Sequence, residues 1–187
     1  MIKNNLYNLD KDQDLVIWLG HSSYFIQFAG KRILVDPILS SHASPFPFMI
    51  KAFNSTEKYN IDDIPEVDYL LITHDHWDHL DYHTIIGLKA KVKNVVCGLG
   101  VGSYFKQWGF RNEVINEGDW FSKVEFENNF TVHLLPTRHF SGRMLKSNKT
   151  LWVGFVLESN YKKIFFSGDG GYGPHFKNIG KMCGGFD

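Results

Sequence analysis

A strand that leads directly into a cluster of histidines and acids constrains the possible folds of this chain more than any other part of its sequence. Residues 67–72 read VDYLLI, a near-continuous apolar run that is typical of a strand covered on both faces. The next residues, 73–79, read THDHWDH, and imidazoles and carboxylates are ligands that Zn²⁺ and similar divalent ions prefer. The candidate ligands are His74, His76, Asp78 and His79. The segment therefore predicts a buried strand that ends at a metal site.

Local geometry favours convergence of these side chains. If residues 73–76 stay extended, His74 and His76 point to the same side, because side chains alternate along a strand. A tight turn before the following helix can then direct Asp78 and His79 into the same hollow. Chance is the alternative explanation. With nine histidines in 187 residues, this pattern should arise by accident in roughly one such chain in a thousand.

Two further candidate ligands follow strands later in the chain. His139 lies in PTRHFSGR after the strand-like FTVHLLP, and Asp169 lies in the glycine-rich SGDGGYG after KKIFFSG. Ligands and catalytic groups on β-rich scaffolds usually lie where a strand meets a loop. Alone, each residue would more often be structural, as a surface histidine or a capping aspartate. Beside the first cluster, both are predicted to be metal ligands.

The order of predicted elements indicates an α+β protein. Helical spacing covers 81–91 and 102–109, and β-branched or aromatic runs bounded by turns predict the strands. Strand pairs dominate and helices fall at the joints, which favours an α+β or layered sandwich fold over a strictly alternating doubly wound sheet. We expect one domain over residues 1–187. The predicted strands are 15–20, 23–30, 32–37, 67–74, 94–98, 119–127, 130–136, 151–159 and 162–169.

Composition excludes several classes of protein. The chain carries 20 basic and 20 acidic residues, so it lacks the basic excess of a general nucleic-acid binder. Cys97 and Cys183 allow at most one disulfide, and because no secretion signal is visible we expect both to be reduced. No run of 18 apolar residues occurs, so no transmembrane segment is expected. We expect a soluble cytoplasmic protein.

The motifs together resemble those of the metallo-β-lactamase superfamily. The H-x-H-x-D-H block at 74–79, followed by His139 and Asp169, is similar to its series of metal ligands. More narrowly, one branch contains N-acyl-phosphatidylethanolamine phospholipase D and the ascorbate-phosphate lactonase-like proteins. The segments that resemble this branch are WLGHSSYFIQFAGKRILVDP, ITHDHWDHLDYHTI, PTRHFSGR and FFSGDGGYGPHF. The resemblance covers residues 14–187 and implies the metallo-β-lactamase fold, a layered αββα sandwich.

The resemblance also implies a role for each matching residue. Asp36 matches an acid that orders the site without being a ligand. In the superfamily a hydroxide held between two metals attacks the substrate, and Asp78 matches the residue that helps to orient it. Two cations lower the pKa of the bound water and neutralise the charge that develops on a phosphoryl or acyl oxygen. His74, His76 and His139 match the ligands of a first ion, Asp78 and His79 those of a second, and Asp169 the bridging carboxylate.

Zinc is the expected metal, as one or two ions, with manganese, iron and nickel as alternatives. The sequence departs from the superfamily pattern in one respect. In the superfamily, a further histidine well downstream of the bridging acid completes the second metal site. This chain ends about eighteen residues after Asp169. We therefore expect that the fold is C-terminally incomplete and that the second site lacks one ligand. His175 could substitute, although a surface loop residue is the plainer interpretation.

An incomplete fold also affects the expected assembly. A missing C-terminal strand and helix would leave a sheet edge and an apolar face open, which favours a homo-oligomer in which a neighbour covers the gap. The phenylalanine-rich segment 45–53 is expected to plug the core or, alternatively, to contact an acyl chain.

Two functions remain as hypotheses. The first is a metal-dependent hydrolase that acts on a phosphodiester or a related ester, amide or lactone bond of a small-molecule or lipid-like substrate. Its candidate substrate-binding residues are His21 and Arg143, for which a turn histidine and a surface salt bridge are the alternatives. The second is a truncated remnant that binds metal and catalyses little. The charge balance disfavours a nuclease, and His76 stands where an oxygen- or nitric-oxide-reducing di-iron protein would need a carboxylate.

Overall fold

The computed structural model describes residues 3–42, 44, 59–143 and 146–187. The phenylalanine-rich segment 45–53 falls outside the described residues. The chain divides into two compact units. Unit 1 comprises Met1–Ile72 and His76–Val95, and unit 2 comprises Thr73–Asp75 and Val96–Asp187. The prediction of one domain over residues 1–187 stays a prediction.

Unit 1 is built on a mixed sheet with the strand order β1-β2-β3-β4-β5. β1 pairs with β2 and β2 with β3 in antiparallel fashion, whereas β3 and β4 are parallel, with Leu34 opposite Leu70. The last strand continues past Val95 into unit 2. The elements are β1 (Leu15–Gly20), β2 (Ser23–Phe28), β3 (Lys31–Val35), β4 (Val67–Ile72), α1 (Tyr82–Leu88) and β5 (Val92–Gly98).

The composition of β4 explains its central place in this sheet. All of its residues except Asp68 are buried, as expected for a strand covered on both faces. The Asp68 carboxylate accepts a hydrogen bond from the Arg32 N–H and pairs with the Lys93 ammonium, both at 2.9 Å. Polar partners therefore satisfy the one charged residue of the strand, and the strand delivers the chain to the histidine cluster.

The helix that follows the histidine cluster is short and capped. Asp81 precedes it, and its carboxylate accepts hydrogen bonds from the Thr84 N–H at 3.0 Å and the Thr84 hydroxyl at 2.6 Å. Such a cap satisfies a backbone donor that the first turn leaves without an intrahelical partner. The cap fixes where α1 begins, and with it the end of the turn that carries Asp78 and His79.

Unit 2 contains a four-stranded antiparallel sheet with the order β12-β11-β8-β7. In the central strand β11, Phe155, Val156 and Leu157 are fully buried. β6 neighbours β5, and β9 pairs with β10 alone. The elements are α2 (Gly102–Gln107), β6 (Ile115–Gly118), β7 (Lys123–Phe126), β8 (Phe130–Leu135), β9 (Gly142–Arg143), β10 (Lys146–Ser147), β11 (Gly154–Glu158), β12 (Lys163–Phe166) and α3 (His175–Cys183).

The predicted α+β class is confirmed, since strands predominate and the helices are short. The strand predicted over 119–127 begins only at Lys123, because Asp119 to Ser122 form a turn in which Phe121 has a φ of 67°. Helix α3 and strands β6, β9 and β10 were not predicted. Four short 3₁₀ turns complete the described elements, at Leu6–Asn8, Ile61–Asp63, Lys89–Lys91 and Asn112–Val114.

Within the described part of the chain, none of the helices combines the length and the apolar composition needed to cross a membrane.

We predict that Leu70→Ala in β4 lowers the free energy of unfolding by about 2–5 kcal/mol, because it opens a cavity at a fully buried position. Val16→Ala in β1 is the control, since Val16 is 52% exposed and its truncation should change stability by less than about 0.5 kcal/mol. Urea denaturation of both variants measures the difference. Equal losses in the two variants would contradict the central position of β4.

Candidate metal centre

Three of the predicted ligands converge within unit 2. Nε2 of His74 lies 3.2 Å from Nε2 of His139, and their ring centroids are 4.5 Å apart. A ligand atom of Asp169 lies within 4.8 Å of one of His74. His74 is buried, His139 half-buried and Asp169 exposed, so this group opens to solvent on the side of the carboxylate.

The donor chemistry of this group fits a divalent metal. Nδ1 of His74 lies 2.9 Å from the Thr73 hydroxyl, which fixes the ring with Nε2 directed at His139. Ligand nitrogens held at roughly 2.0–2.1 Å from a tetrahedral zinc ion are about 3.3 Å apart, close to the separation of the two Nε2 atoms. An oxygen ligand from Asp169 completes a typical nitrogen and oxygen donor set for zinc.

Two glycines place Asp169 beside the other ligands of unit 2. A Cβ at Gly168 would lie 3.0 Å from Cβ of Thr73, and the positive φ of 56° at this glycine is rare for other residues. A Cβ at Gly170 would lie 1.9 Å from the hydroxyl of Thr137. The loop therefore packs against residues next to His74 and His139, and a side chain at either glycine would crowd this contact.

Two tryptophans support the loop that carries His139. The indole N–H of Trp152 donates to the Thr137 carbonyl at 2.9 Å, and that of Trp120 donates to the Trp152 carbonyl at 2.8 Å. The two rings meet edge to face at 5.7 Å. The Gly171 N–H donates to the Arg138 carbonyl at 2.9 Å, so the loop is held from both sides.

Asp75, between the two histidines of the motif, is a buried anchor that sequence reasoning missed. Its carboxylate accepts hydrogen bonds from the Gly142 N–H at 2.7 Å and the Tyr104 hydroxyl at 3.0 Å. Burial raises the pKa of Tyr104 to about 12, with a further contribution from the Asp75 carboxylate, so the hydroxyl stays a donor at neutral pH. Its position inside the ligand motif was the available clue to a structural role.

Arg143 lies against the same anchor. Its guanidinium donates to the Asp75 carbonyl at 3.1 Å and lies 5.3 Å from the centre of the Tyr104 ring. These contacts hold the side chain in place beside the motif. Substrate binding by Arg143 stays a prediction.

In unit 1, His79 is held by a buried carboxylate. Its Nδ1 lies 2.8 Å from Oδ2 of Asp36, and the two side chains are 0% and 2% exposed. A carboxylate on one imidazole nitrogen fixes the tautomer in which the other nitrogen can bind a metal. The Asp36 N–H in turn donates to the Leu71 carbonyl at 3.0 Å. This contact agrees with the ordering role that the resemblance implies for Asp36.

His21 and Asp78 complete a second group of donors in unit 1. Nε2 of His21 lies 3.0 Å from Oδ2 of Asp78, and ligand atoms of His21, Asp78 and His79 lie within 4.8 Å of one another. The hydrogen bond from His21 holds the pKa of Asp78 well below its usual range, although burial acts in the opposite direction. Asp78 is therefore ionised at neutral pH, as a metal ligand must be.

The remaining predicted residues are placed as follows. His76 is half-buried, and its carbonyl accepts hydrogen bonds from the N–H groups of His79 and Leu80 at 3.1 and 2.9 Å. These bonds form the tight turn expected before α1. His175 is the first residue of α3 and is absent from the candidate ligand groups that the described residues form. The structure thus gives no support to His175 as a substitute ligand.

Comparison with known families matches residues 31–187 to the "Beta-lactamase superfamily domain". An uncharacterised protein of Mycobacterium tuberculosis is 35% identical over 184 residues, which cover 98% of this chain and 49% of that protein. The N-acyl-phosphatidylethanolamine-hydrolyzing phospholipase D 1 of Caenorhabditis elegans is 30% identical over 181 residues, which cover 91% of this chain and 51% of that protein. The chain spans about half the length of these curated relatives.

Two solved structures share the fold. The di-iron β-hydroxylase CmlA of Streptomyces venezuelae superimposes with a TM-score of 0.72 at 21% identity and covers 94% of this chain and 33% of its own. Igni18, a metallo hydrolase of Ignicoccus hospitalis, superimposes with a TM-score of 0.65 at 19% identity and covers 89% of this chain and 65% of its own. At this identity the likeness concerns the fold alone, and the predicted metallo-β-lactamase fold is confirmed.

We predict that Gly170→Ala lowers the zinc affinity and reduces the free energy of unfolding by about 1–3 kcal/mol, because the new methyl overlaps Thr137. Gly171→Ala is the matched control. Its nearest neighbour would be the Arg138 carbonyl at 3.5 Å, an ordinary contact, so its stability should stay within about 0.5 kcal/mol of the wild type. Calorimetric zinc titration and urea denaturation test both. A neutral Gly170→Ala would refute the proposed support of Asp169.

We predict that Tyr104→Phe reduces the free energy of unfolding by about 1–3 kcal/mol, because it leaves the buried Asp75 carboxylate short of one donor. Tyr172→Phe serves as the control, since Tyr172 is 89% exposed. Thermal and urea denaturation measure the effect. If both variants match the wild type, the Tyr104 hydroxyl does not stabilise the motif.

Proposed function

The chain belongs to the β-lactamase superfamily domain family, and from this membership we propose that it is a metal-dependent hydrolase. The observation that carries the proposal is the meeting of His74 and His139, whose Nε2 atoms are 3.2 Å apart with Asp169 beside them. The two nitrogens lie at the separation expected of two ligands on one tetrahedral ion. The geometry supports metal binding, and membership of the family supports hydrolysis as the reaction.

We assign His74, His76 and His139 to a first metal ion, Asp78 and His79 to a second, and Asp169 to both. The assignment is supported by the donor types, by the support that Thr73 and Asp36 give to two of the rings, and by the adjacency of residues 74–79 in the chain. Zinc is the metal that this histidine-rich set favours. Manganese, iron and nickel remain alternatives that elemental analysis separates.

A divalent ion held by these side chains would lower the pKa of a coordinated water and polarise a phosphoryl or acyl oxygen. The side chains of the protein would position the attacking water and accept or donate its protons. Asp78 is ionised and half-buried, so its carboxylate can orient the attacking water through a hydrogen bond.

We propose a phosphodiester or a related ester, amide or lactone bond as the substrate bond, in a small-molecule or lipid-like substrate. The C. elegans relative is a phospholipase D that hydrolyses N-acyl-phosphatidylethanolamine, which supports the phosphodiester among these. Arg143 is the proposed anion-binding residue, because its planar guanidinium offers paired donors to a phosphate or carboxylate. A cytoplasmic location and a homo-oligomeric state stay predictions.

We predict that the chain, as purified, binds a divalent transition metal and that His76→Ala removes most of it. Elemental analysis gives the metal content, and turnover of bis-(p-nitrophenyl) phosphate and simple lactones gives the activity. His133→Ala is the control, since His133 pairs with Glu158 at 2.6 Å on strand β8 and lies outside the proposed ligands. Unchanged metal content in His76→Ala would overturn the assignment. Metal binding without hydrolysis of any substrate would favour the alternative of a metal-binding protein with little catalytic activity.

A further inference from the structure

We propose that His21, in the turn between β1 and β2, is a protein ligand of the second metal ion together with Asp78 and His79. The proposal rests on the proposed function, because it concerns the same metal centre. It extends the ligand set beyond the residues that the sequence motif supplies. It also gives His21 a role different from the substrate binding predicted from the sequence.

The first support is the convergence of three donor atoms. Nε2 of His21 lies 3.0 Å from Oδ2 of Asp78, and one ligand atom from each of His21, Asp78 and His79 lies within 4.8 Å of the others. The imidazoles of His21 and His79 meet edge to face with centroids 5.7 Å apart. Ligand atoms around a tetrahedral zinc ion are about 3.3 Å apart, so small adjustments would bring the three atoms onto one ion.

The second support is the direction of the His79 ring. Its Nδ1 is bound to Asp36, so Nε2 is the nitrogen that can serve as a ligand. His79 is fully buried, whereas the side chains of Asp78 and His21 are 30% and 41% exposed. Exposure therefore rises from His79 to His21. An ion can reach the three donors from the solvent side, at His21.

The third support is the backbone of the turn. His21 has a φ of 46° and follows Gly20, whose φ is 115°. Tight β-hairpin turns require a positive φ, and histidine adopts it more readily than most residues. The strand pairing is also irregular between Trp18 and Gly20, and the Trp18 indole N–H donates to the His21 carbonyl at 2.6 Å. These features together hold the His21 imidazole towards Asp78.

The same turn is tied to the residue that holds His79. The hydroxyl of Ser23 donates to the Asp36 carbonyl at 2.7 Å and accepts from the Ile38 N–H at 2.9 Å. Asp36 itself has a φ of 44°. The turn therefore fixes His21 directly and, through Asp36, fixes His79. One local structure presents two of the three donors.

A simple ion pair between His21 and Asp78 explains less. A partly exposed pair of this kind contributes little to stability, so it gives little reason to place a histidine at this turn position. A shared cation gives that reason, and it also accounts for the convergence of a ligand atom of His79 on the same pair.

The test is a cobalt titration of the 187-residue chain and of His21→Asn, followed by the visible absorption of Co²⁺ and by calorimetry with Zn²⁺. Asparagine tolerates a positive φ, so this variant removes the imidazole and keeps the turn. We expect two bound ions in the wild type, and in His21→Asn an unchanged first ion with a second bound at least about tenfold more weakly. His133→Asn is the matched control and should bind both ions as the wild type does.

The outcomes separate this inference from the proposed function. A wild type that binds no ion would refute the metal centre itself. A wild type that binds metal, with His21→Asn equal to it in stoichiometry, affinity and spectrum, would overturn only the role of His21. If circular dichroism shows that His21→Asn is unfolded, His21→Gly replaces it, since glycine adopts the positive φ of this turn freely. An unchanged affinity for the second ion in His21→Gly would then count against the proposal.

Discussion

The burial of β4 on both faces is the constraint on which the rest of the structure depends. Since nearly all of VDYLLI is buried, the strand must lie inside the sheet, and its end is fixed at Ile72. The chain then contributes Thr73–Asp75 to one compact unit and returns to the other at His76. The ligand motif thus begins where a rigid strand stops. A less buried strand would leave the position of His74 poorly defined.

Buried polar groups around the motif are satisfied by named partners. Asp36 holds His79, the Thr73 hydroxyl lies against His74, and Asp75 gathers donors from Tyr104 and Gly142. Burying such groups without partners would be costly. With partners, the same groups fix ring orientations before any ligand arrives. This preorganisation is what a metal centre needs, because residues around the ligands set both affinity and tautomer.

The proposed ligands therefore depend on support from residues that carry no chemistry of their own. Glycines 168 and 170 allow the Asp169 loop to approach Thr73 and Thr137, and Trp152 holds the loop before His139. In unit 1 the turn from Gly20 to Ser23 performs the same task for His21 and Asp36. Two compact units thus each present a prearranged set of donors. Substrate specificity would then come from the loops around them, as is usual for widely used folds.

The sequence by itself determined the α+β class, most strands, and the candidate ligands, because alternation, apolar runs and the spacing of histidines are local properties. Strand β6 is only four residues long and offers too few positions for a period to show. Helix α3 does have apolar residues at helical spacing, Phe176, Ile179 and Cys183, and sequence reasoning overlooked this pattern. Only the tertiary structure decided that the Asp75 carboxylate binds the Tyr104 hydroxyl. It also decided that the His21 imidazole contacts Asp78 and not the backbone of its own turn. These contacts join residues 29 and 57 positions apart. No local pattern encodes such a separation, because it arises from the packing of whole strands.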